Sequence, residues 1–204
     1  MVMMRVLASL LVLGALAACA HAPAPTSALT VRRLAVLEHD LRAFTGTRLT
    51  SLDDVERELG ALEELRLAYL DTLAVEVAPR ERVLCLLRIA ELHLDLGARV
   101  RRVPYPAGAS EAERRSLDDL LSQQALPLEA VGRGVLAQAV DEAAAHGVDD
   151  RFARRARLYQ RIHAGESLDR ADLAVLRSEL AARTFTAPRT LLEAGRIGQR
   201  AARR

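Results

Sequence analysis

The residue types that do metal and acid–base chemistry are present in this chain, but their spacing matches no known catalytic motif. Its five histidines form no H-E-x-x-H pair and no Cys/His cluster at zinc spacing. Glu142 and His146 are four residues apart, so they share one face of a helix and could supply two metal ligands. No third ligand is recognisable nearby. We therefore predict a surface pair near a helix C-terminus, where histidine is electrostatically favoured, and no metal site.

A second group of charged residues lies within one predicted helix. Glu91 and Asp95 share a face, and Arg88 and Arg99 lie above and below them. His93 lies between the two acids in sequence but points to another side of the helix. The spacing predicts a solvated ladder of ion pairs, and a buried acid pair with perturbed pKa values is the alternative.

Nucleophile and phosphate-binding motifs are also missing from the sequence. There is no G-x-S-x-G, and Gly132-Arg133-Gly134 is neither preceded by a predicted strand nor followed by G-K-[ST]. The two glycines indicate local flexibility or close helix packing instead. We predict no catalytic residues and no cofactor.

Arginine clusters are the strongest surface signal. Arg151, Arg154, Arg157 and Arg161 share one predicted helix and form a candidate basic contact surface, with a solvated helix face as the alternative. The formal net charge of the whole chain is only +2. This balance argues against a protein that binds nucleic acid over its whole surface.

The first 18 residues have the order of a secretory signal: a basic residue, Arg5, an apolar stretch over residues 6–16, and then small residues. The apolar stretch is shorter than the roughly 20 residues that a membrane-spanning helix needs. We therefore predict a cleaved targeting segment over residues 1–18 and not a permanent transmembrane anchor.

The next residues sharpen this prediction. The string Leu16-Ala17-Ala18-Cys19 resembles the lipobox of bacterial lipoproteins. The resemblance implies cleavage before Cys19 and a diacylglyceryl thioether, with acyl chains such as palmitate, on its sulfur. Because Ala20 is not the aspartate associated with inner-membrane retention, it also implies the outer membrane, facing the periplasm. Two alternatives are ordinary cleavage after Ala20-His21-Ala22, which releases a soluble periplasmic protein, and an incidental cysteine.

The second cysteine, Cys85, lies in an apolar run over residues 83–87. We interpret it as a small buried hydrophobic residue. A reactive or intermolecular thiol is the alternative, because an odd cysteine in an exported protein has no partner within the chain.

The elements that position these residues are predicted to be helices throughout. Apolar residues recur every three to four positions and no stretch alternates. We predict a tether over residues 19–26, a single all-α domain over residues 27–183, and a basic C-terminal helix or tail over residues 184–204. About six to seven helices follow the signal.

Several helix ends are specified locally. Ser27 and Ser51 are predicted N-caps, Pro79 suits a first helical turn, and Ser110 with Glu113 forms a capping box. Pro127 lies inside the helix that follows Ser110, so we expect it to kink or split that helix. The helix predicted over residues 80–102 is apolar around most of its circumference, which places it at the centre of the domain.

Part of this central helix resembles a known repeat. Leu86, Ile89, Ala90 and His93 match the bulky, leucine, small and aromatic positions in the first helix of a tetratricopeptide repeat, with His93 in the aromatic place. The resemblance covers residues 79–164, and no second copy follows at 34 residues. It leaves two alternatives, a degenerate helix-turn-helix array and a compact irregular bundle, which differ in having an open groove or a closed core.

These observations favour a non-enzymatic envelope lipoprotein that acts as a scaffold, adaptor or assembly factor. Its expected partners are the bilayer, through acylated Cys19, and another envelope protein. The alternative is a periplasmic enzyme of cell-wall glycan processing, whose two carboxylates would come from different helices.

Overall fold

The computed structural model describes residues 27–75 and 77–181, and side chains as far as residue 176. The predicted signal, Cys19, the tether and the basic segment over residues 184–204 lie outside the described residues. The prediction of an all-α fold is confirmed. The described residues form six α-helices: α1 Ala28–Gly46, α2 Leu52–Leu73, α3 Pro79–Val100, α4 Glu111–Ala145, α5 Arg151–His163 and α6 Arg170–Ala181.

The predicted helix starts are confirmed. The Oγ of Ser27 accepts a hydrogen bond from the backbone N–H of Thr30 at 3.1 Å. Ser110 and Glu113 form a reciprocal capping box at the start of α4, and Pro79 occupies the first turn of α3. Each of these contacts satisfies or removes an N–H group that has no partner within its helix.

Helix α4 is not split at Pro127, as one form of our prediction required. It continues from Glu111 to Ala145, although Pro127 has no N–H to donate to the preceding turn. The helix is packed along α3 on both sides of this proline, because Ala125 and Gly132 both lie against α3. We attribute the continuity to this packing, which sequence alone does not reveal.

Helices α1, α3 and α5 run parallel in one layer. Arg88 and Arg99 of α3 contact Glu38 and the backbone carbonyl of Thr47, so both helices advance in the same direction. Contacts of α3 with α5 advance in the same way, from Arg80–Asp150 to Glu91–Arg155.

Helices α2 and α4 run antiparallel to this layer. The ion pairs Arg82–Glu142 and Arg101–Glu129 join opposite ends of α3 and α4. Helix α2 leads from α1 back to α3 and packs against both of them. The helix pairs α1–α2 and α3–α4 therefore pack side by side, and α5 packs next to α3.

The prediction that α3 lies at the centre is confirmed. It packs against α1, α2, α4 and α5. Most of its apolar side chains are fully buried, among them Val83, Leu84, Leu87, Leu92 and Leu96. Within the described residues, no helix is long and apolar enough to cross a membrane.

Two glycines allow α3 and α4 to pack closely. A Cβ atom at Gly132 would lie 2.7 Å from Cγ of Leu94 and 3.2 Å from the carbonyl oxygen of Ala90. A Cβ at Gly97 would lie 3.0 Å from Cγ of Glu129. Close packing is thus the correct interpretation for Gly132, whereas Gly134 has open space around it.

Candidate binding groove and its charged floor

An open groove of about 330 Å³ runs along the layer of parallel helices. Helix α3 forms its floor, and α1 and α5 form its walls. Its apolar lining comes from Leu41, Leu94, Ala98 and Ile162. An open groove is the feature that distinguishes an array of helix pairs from a closed bundle, and a cavity near this size lies at the small end of those that bind ligands.

A buried ion pair joins the first wall to the floor. The guanidinium of Arg88 donates two parallel hydrogen bonds to the carboxylate of Glu38, Nε to Oε1 and Nη2 to Oε2, each at 2.7 Å. The side chains of Arg88 and Glu38 are only 6% and 3% exposed. The phenol of Tyr69, from α2, donates a further bond to Oε1 of Glu38 at 3.3 Å. This bidentate geometry holds α1 in one register on α3.

The same arginine continues the network towards the second wall. Nη1 of Arg88 donates to Oε2 of Glu91 at 2.6 Å, and Nη2 of Arg155 lies 2.7 Å from Oε1 of Glu91. That second contact has ion-pair distance without hydrogen-bond geometry, so Oε1 of Glu91 lacks a hydrogen-bond donor among the described residues. Arg155 also donates to the hydroxyl of Tyr159 at 3.0 Å. One chain of charges therefore connects α1, α3 and α5.

Burial and charge act in opposite directions on this network. Burial alone would lower the pKa of Arg88, but the carboxylates of Glu91 and Glu38 outweigh it and raise that pKa. The pKa of Tyr69 is raised mainly by burial, with a contribution from Glu38. Arg88 therefore stays charged and Tyr69 stays protonated. Buried charges are tolerated in proteins where they are paired in this way.

The prediction of a solvated ladder is wrong for its first half. Arg88 and Glu91 are largely buried because α1 and α5 bring Glu38 and Arg155 onto the same face of α3. The ion pairing within the helix is nevertheless as predicted. The second half agrees better with the prediction, since Asp95 pairs with Arg99 at 2.8 Å and keeps 36% of its side chain exposed.

Two of the four arginines of the candidate basic surface have carboxylate partners. Arg157 pairs with Asp149, and Arg161 lies 3.0 Å from Glu166 and 2.6 Å from Asp172. These carboxylates neutralise much of the local charge. Arg154 remains exposed on α5, and the guanidinium of Arg151 lies 4.7 Å from the ring of Phe152. The contact surface itself stays a prediction.

Sequence reasoning missed the roles of Glu38 and Arg155. Arg155 belongs to the same arginine-rich helix but is turned inward and buried. A signal was present, because Phe152, Ala156 and Tyr159 recur at helical spacing and Arg155 lies on the same face. A charged residue on an apolar helix face indicates a buried partner, and only the folded chain identifies that partner as Glu91.

The remaining candidate residues have local roles. Nε2 of His146 lies 3.5 Å from Oε1 of Glu142, and Glu142 also accepts a 2.6 Å hydrogen bond from Arg82. Among the described residues, no group of three His, Cys, Asp or Glu side chains is placed to hold a metal ion. Cys85 is fully buried, as the small-hydrophobe interpretation predicts, and burial raises the pKa of its thiol to about 12. Such a thiol is protonated and unreactive at neutral pH.

The chain was compared with protein-family models, curated proteins and solved structures. No family model, curated protein or solved structure matches it. The groove and its charged floor are therefore the observations on which a functional hypothesis has to rest.

Proposed function

We propose that this protein is a lipid-anchored adaptor of the bacterial envelope, tethered through a diacylglyceryl group on Cys19, that binds another envelope protein in the groove between α1 and α5. The observation that carries this proposal is an open groove across three parallel helices. Such a surface presents side chains from three separate segments to one ligand.

The charged floor supports binding without rearrangement. Arg88 contacts Glu38 of α1 and Glu91 of its own helix, and Glu91 contacts Arg155 of α5. The bidentate contact with Glu38 and the buried ion pair with Arg155 hold both walls against α3. A preformed groove avoids the entropy of ordering loops when a ligand binds.

The floor also favours binding over glycan hydrolysis, the alternative raised by the sequence. A glycoside hydrolase needs one carboxyl group to protonate the leaving oxygen and a second to act as base or nucleophile. The buried carboxylates beside the groove, Glu38 of α1 and Glu91 of α3, are both bound to arginines. Their oxygens are engaged in holding helices together, so we propose an adaptor rather than an enzyme.

The anchor is tested by substitution of the cysteine. Cys19→Ala should block the incorporation of labelled palmitate and leave the unprocessed precursor, because the lipid is attached to that sulfur. Cys85→Ala is the matched control and should label and mature normally. If the wild-type chain takes up no palmitate and Cys19→Ala is still trimmed, ordinary export is correct and the anchor is wrong.

The groove is tested by photo-crosslinking in intact cells. A photoreactive amino acid at Thr45 or at Ile162, on opposite walls, should give an adduct with the same envelope protein. Leu67, which is 48% exposed on α2 and outside the groove, is the control position. Adducts at Leu67 alone, or none at either wall, would contradict binding in the groove.

A further inference from the structure

The carboxylates that line the groove are all paired with arginines, whereas not every arginine there is paired with a carboxylate of the described residues. Each carboxylate there already has an arginine partner: Arg88 binds Glu38 and Glu91, and Arg99 binds Asp95. A positively charged ligand would therefore have to compete with these arginines for the carboxylates of the groove.

Arg42 on the wall formed by α1 is different. It is exposed, and its Nε donates a 3.0 Å hydrogen bond to the backbone carbonyl of Glu38 in its own helix. Among the described residues, no carboxylate lies within ion-pair distance of its guanidinium. Arg42 follows the apolar Leu41 directly and shares the groove with Leu94 and Ile162.

Arg155 on the opposite wall has unused donor capacity. Its side chain is only 9% exposed, and its Nε has no hydrogen-bond acceptor among the described residues. The nearby His163 adds no negative charge, and burial lowers its pKa, so it is neutral at neutral pH. Both walls therefore carry arginine donors that the protein itself does not satisfy.

We infer that the groove selects a partner segment in which an acidic side chain is flanked by apolar side chains. The carboxylate binds Arg42, whose planar fork suits two parallel hydrogen bonds. The flanking apolar side chains pack against Leu94 and Ile162. This inference rests on the proposed adaptor role and names the chemistry that the adaptor recognises.

The test uses three fluorescent heptapeptides that alternate leucine with glutamate, glutamine or lysine. Their binding to the purified full chain is followed by fluorescence anisotropy. The glutamate peptide should bind up to about fivefold more tightly than the glutamine peptide, and the lysine peptide more weakly still. Raising the salt concentration should weaken the binding of the glutamate peptide, because salt screens an exposed ion pair.

The matched variants are Arg42→Gln and Arg32→Gln. Both arginines are exposed on α1, but only Arg42 lines the groove. Arg42→Gln should remove the preference for glutamate, and Arg32→Gln should retain it. Since both side chains are exposed, thermal unfolding curves are expected to match the wild type and to confirm that each variant is folded.

Several outcomes would overturn the inference. These are equal binding of the glutamate and glutamine peptides, a preference that survives in Arg42→Gln, or no binding up to about 1 mM peptide. Binding to phosphatidylglycerol vesicles that depends on Arg42, without peptide binding, would assign this arginine to a lipid surface instead.

If the peptides do not bind while Thr45 and Ile162 still crosslink to an envelope protein, the acidic selection is wrong and the adaptor role stands. If the crosslinks fail as well, the proposed function is wrong.

Discussion

Helix α3 has two opposed faces that are held in different ways. On the groove side, Arg88 binds Glu38 of α1 through a buried, bidentate ion pair, and Glu91 binds Arg155 of α5 through a second buried ion pair. On the α4 side, Gly97 and Gly132 bring two helices into close contact, and the fit between the ion pairs at the two ends is set by shape. The groove face can border an open cleft, because each ion pair joins two particular side chains and does not require the space beside it to be filled. The α4 face depends on filling all the space between the helices.

This difference explains why the groove lies on one side of α3. Dispersion and apolar burial favour the closest approach, so the α3–α4 interface has no room for a ligand. An arginine that spans between helices acts instead as a spacer of fixed length. The walls formed by α1 and α5 are therefore held against α3 while the space between them stays open.

The largest expected loss of stability comes from a substitution on the groove face of α3. Arg88→Ala leaves Glu38 and Glu91 buried without their shared cation, and we expect a loss of about 3–5 kcal/mol in the free energy of unfolding. Urea denaturation followed by circular dichroism measures it. Arg33→Ala removes an exposed ion pair with Asp71 and should cost at most about 1 kcal/mol.

A second variant sharpens this result. Replacing Glu38 and Arg88 together by methionine removes both charges of the bidentate pair. Glu91 keeps its contact with Arg155, and the phenol of Tyr69 loses its acceptor, so the double variant should be more stable than Arg88→Ala alone without reaching the wild type. Equal losses in the single and double variants would mean that packing, and not the ion pair, holds α1 on α3.

A smaller change in stability is expected from substitutions at the α3–α4 interface. Gly132→Ala places a Cβ against Leu94 and the carbonyl of Ala90, and we expect a loss of about 1–3 kcal/mol. Gly134→Ala is the matched control in the same helix. It has open space around it and should be stabilising by about 0.5–1 kcal/mol, because alanine favours a helix more than glycine does. The same denaturation measurement applies, and indistinguishable variants would contradict close packing at this face.

The smallest effect concerns a third side of α3, where His93 is buried and its Nδ1 lies 2.8 Å from the carbonyl of Ile89. Burial is the main cause that lowers its pKa below 6.5. Below pH 6.5 the unfolded chain therefore binds more protons than the folded one. Stability should fall as the pH drops through 6.5 towards the lower folded value, and then level off.

The comparison between wild type and His93→Gln isolates this contribution. Glutamine does not titrate, so the free energy of unfolding should change less between about pH 7.5 and pH 5.5 in the variant. Identical pH profiles would show that His93 is not the responsible group, and that the pH response has to be sought in other parts of the fold.

Local features of this protein were predictable from sequence. Capping by Ser27, the capping box of Ser110 with Glu113, and the burial of Cys85 are all as predicted. They depend on neighbours within one helical turn or on the apolar character of a short run. The continuity of α4 at Pro127 was not predicted, since it depends on how another helix packs against it.

The helical character of the described residues, the starts of the helices and the central position of α3 all follow from the sequence, because caps and apolar periodicity act over a few residues. The packing of the helices, by contrast, brings Glu38, Arg88, Glu91 and Arg155 into one network and leaves a groove beside it. Those residues lie on three helices, and their interaction depends on distances that no spacing along the chain encodes. The same packing turned a predicted surface ladder into the floor of a candidate binding site, and left Arg42 on its wall as the cation available to a partner.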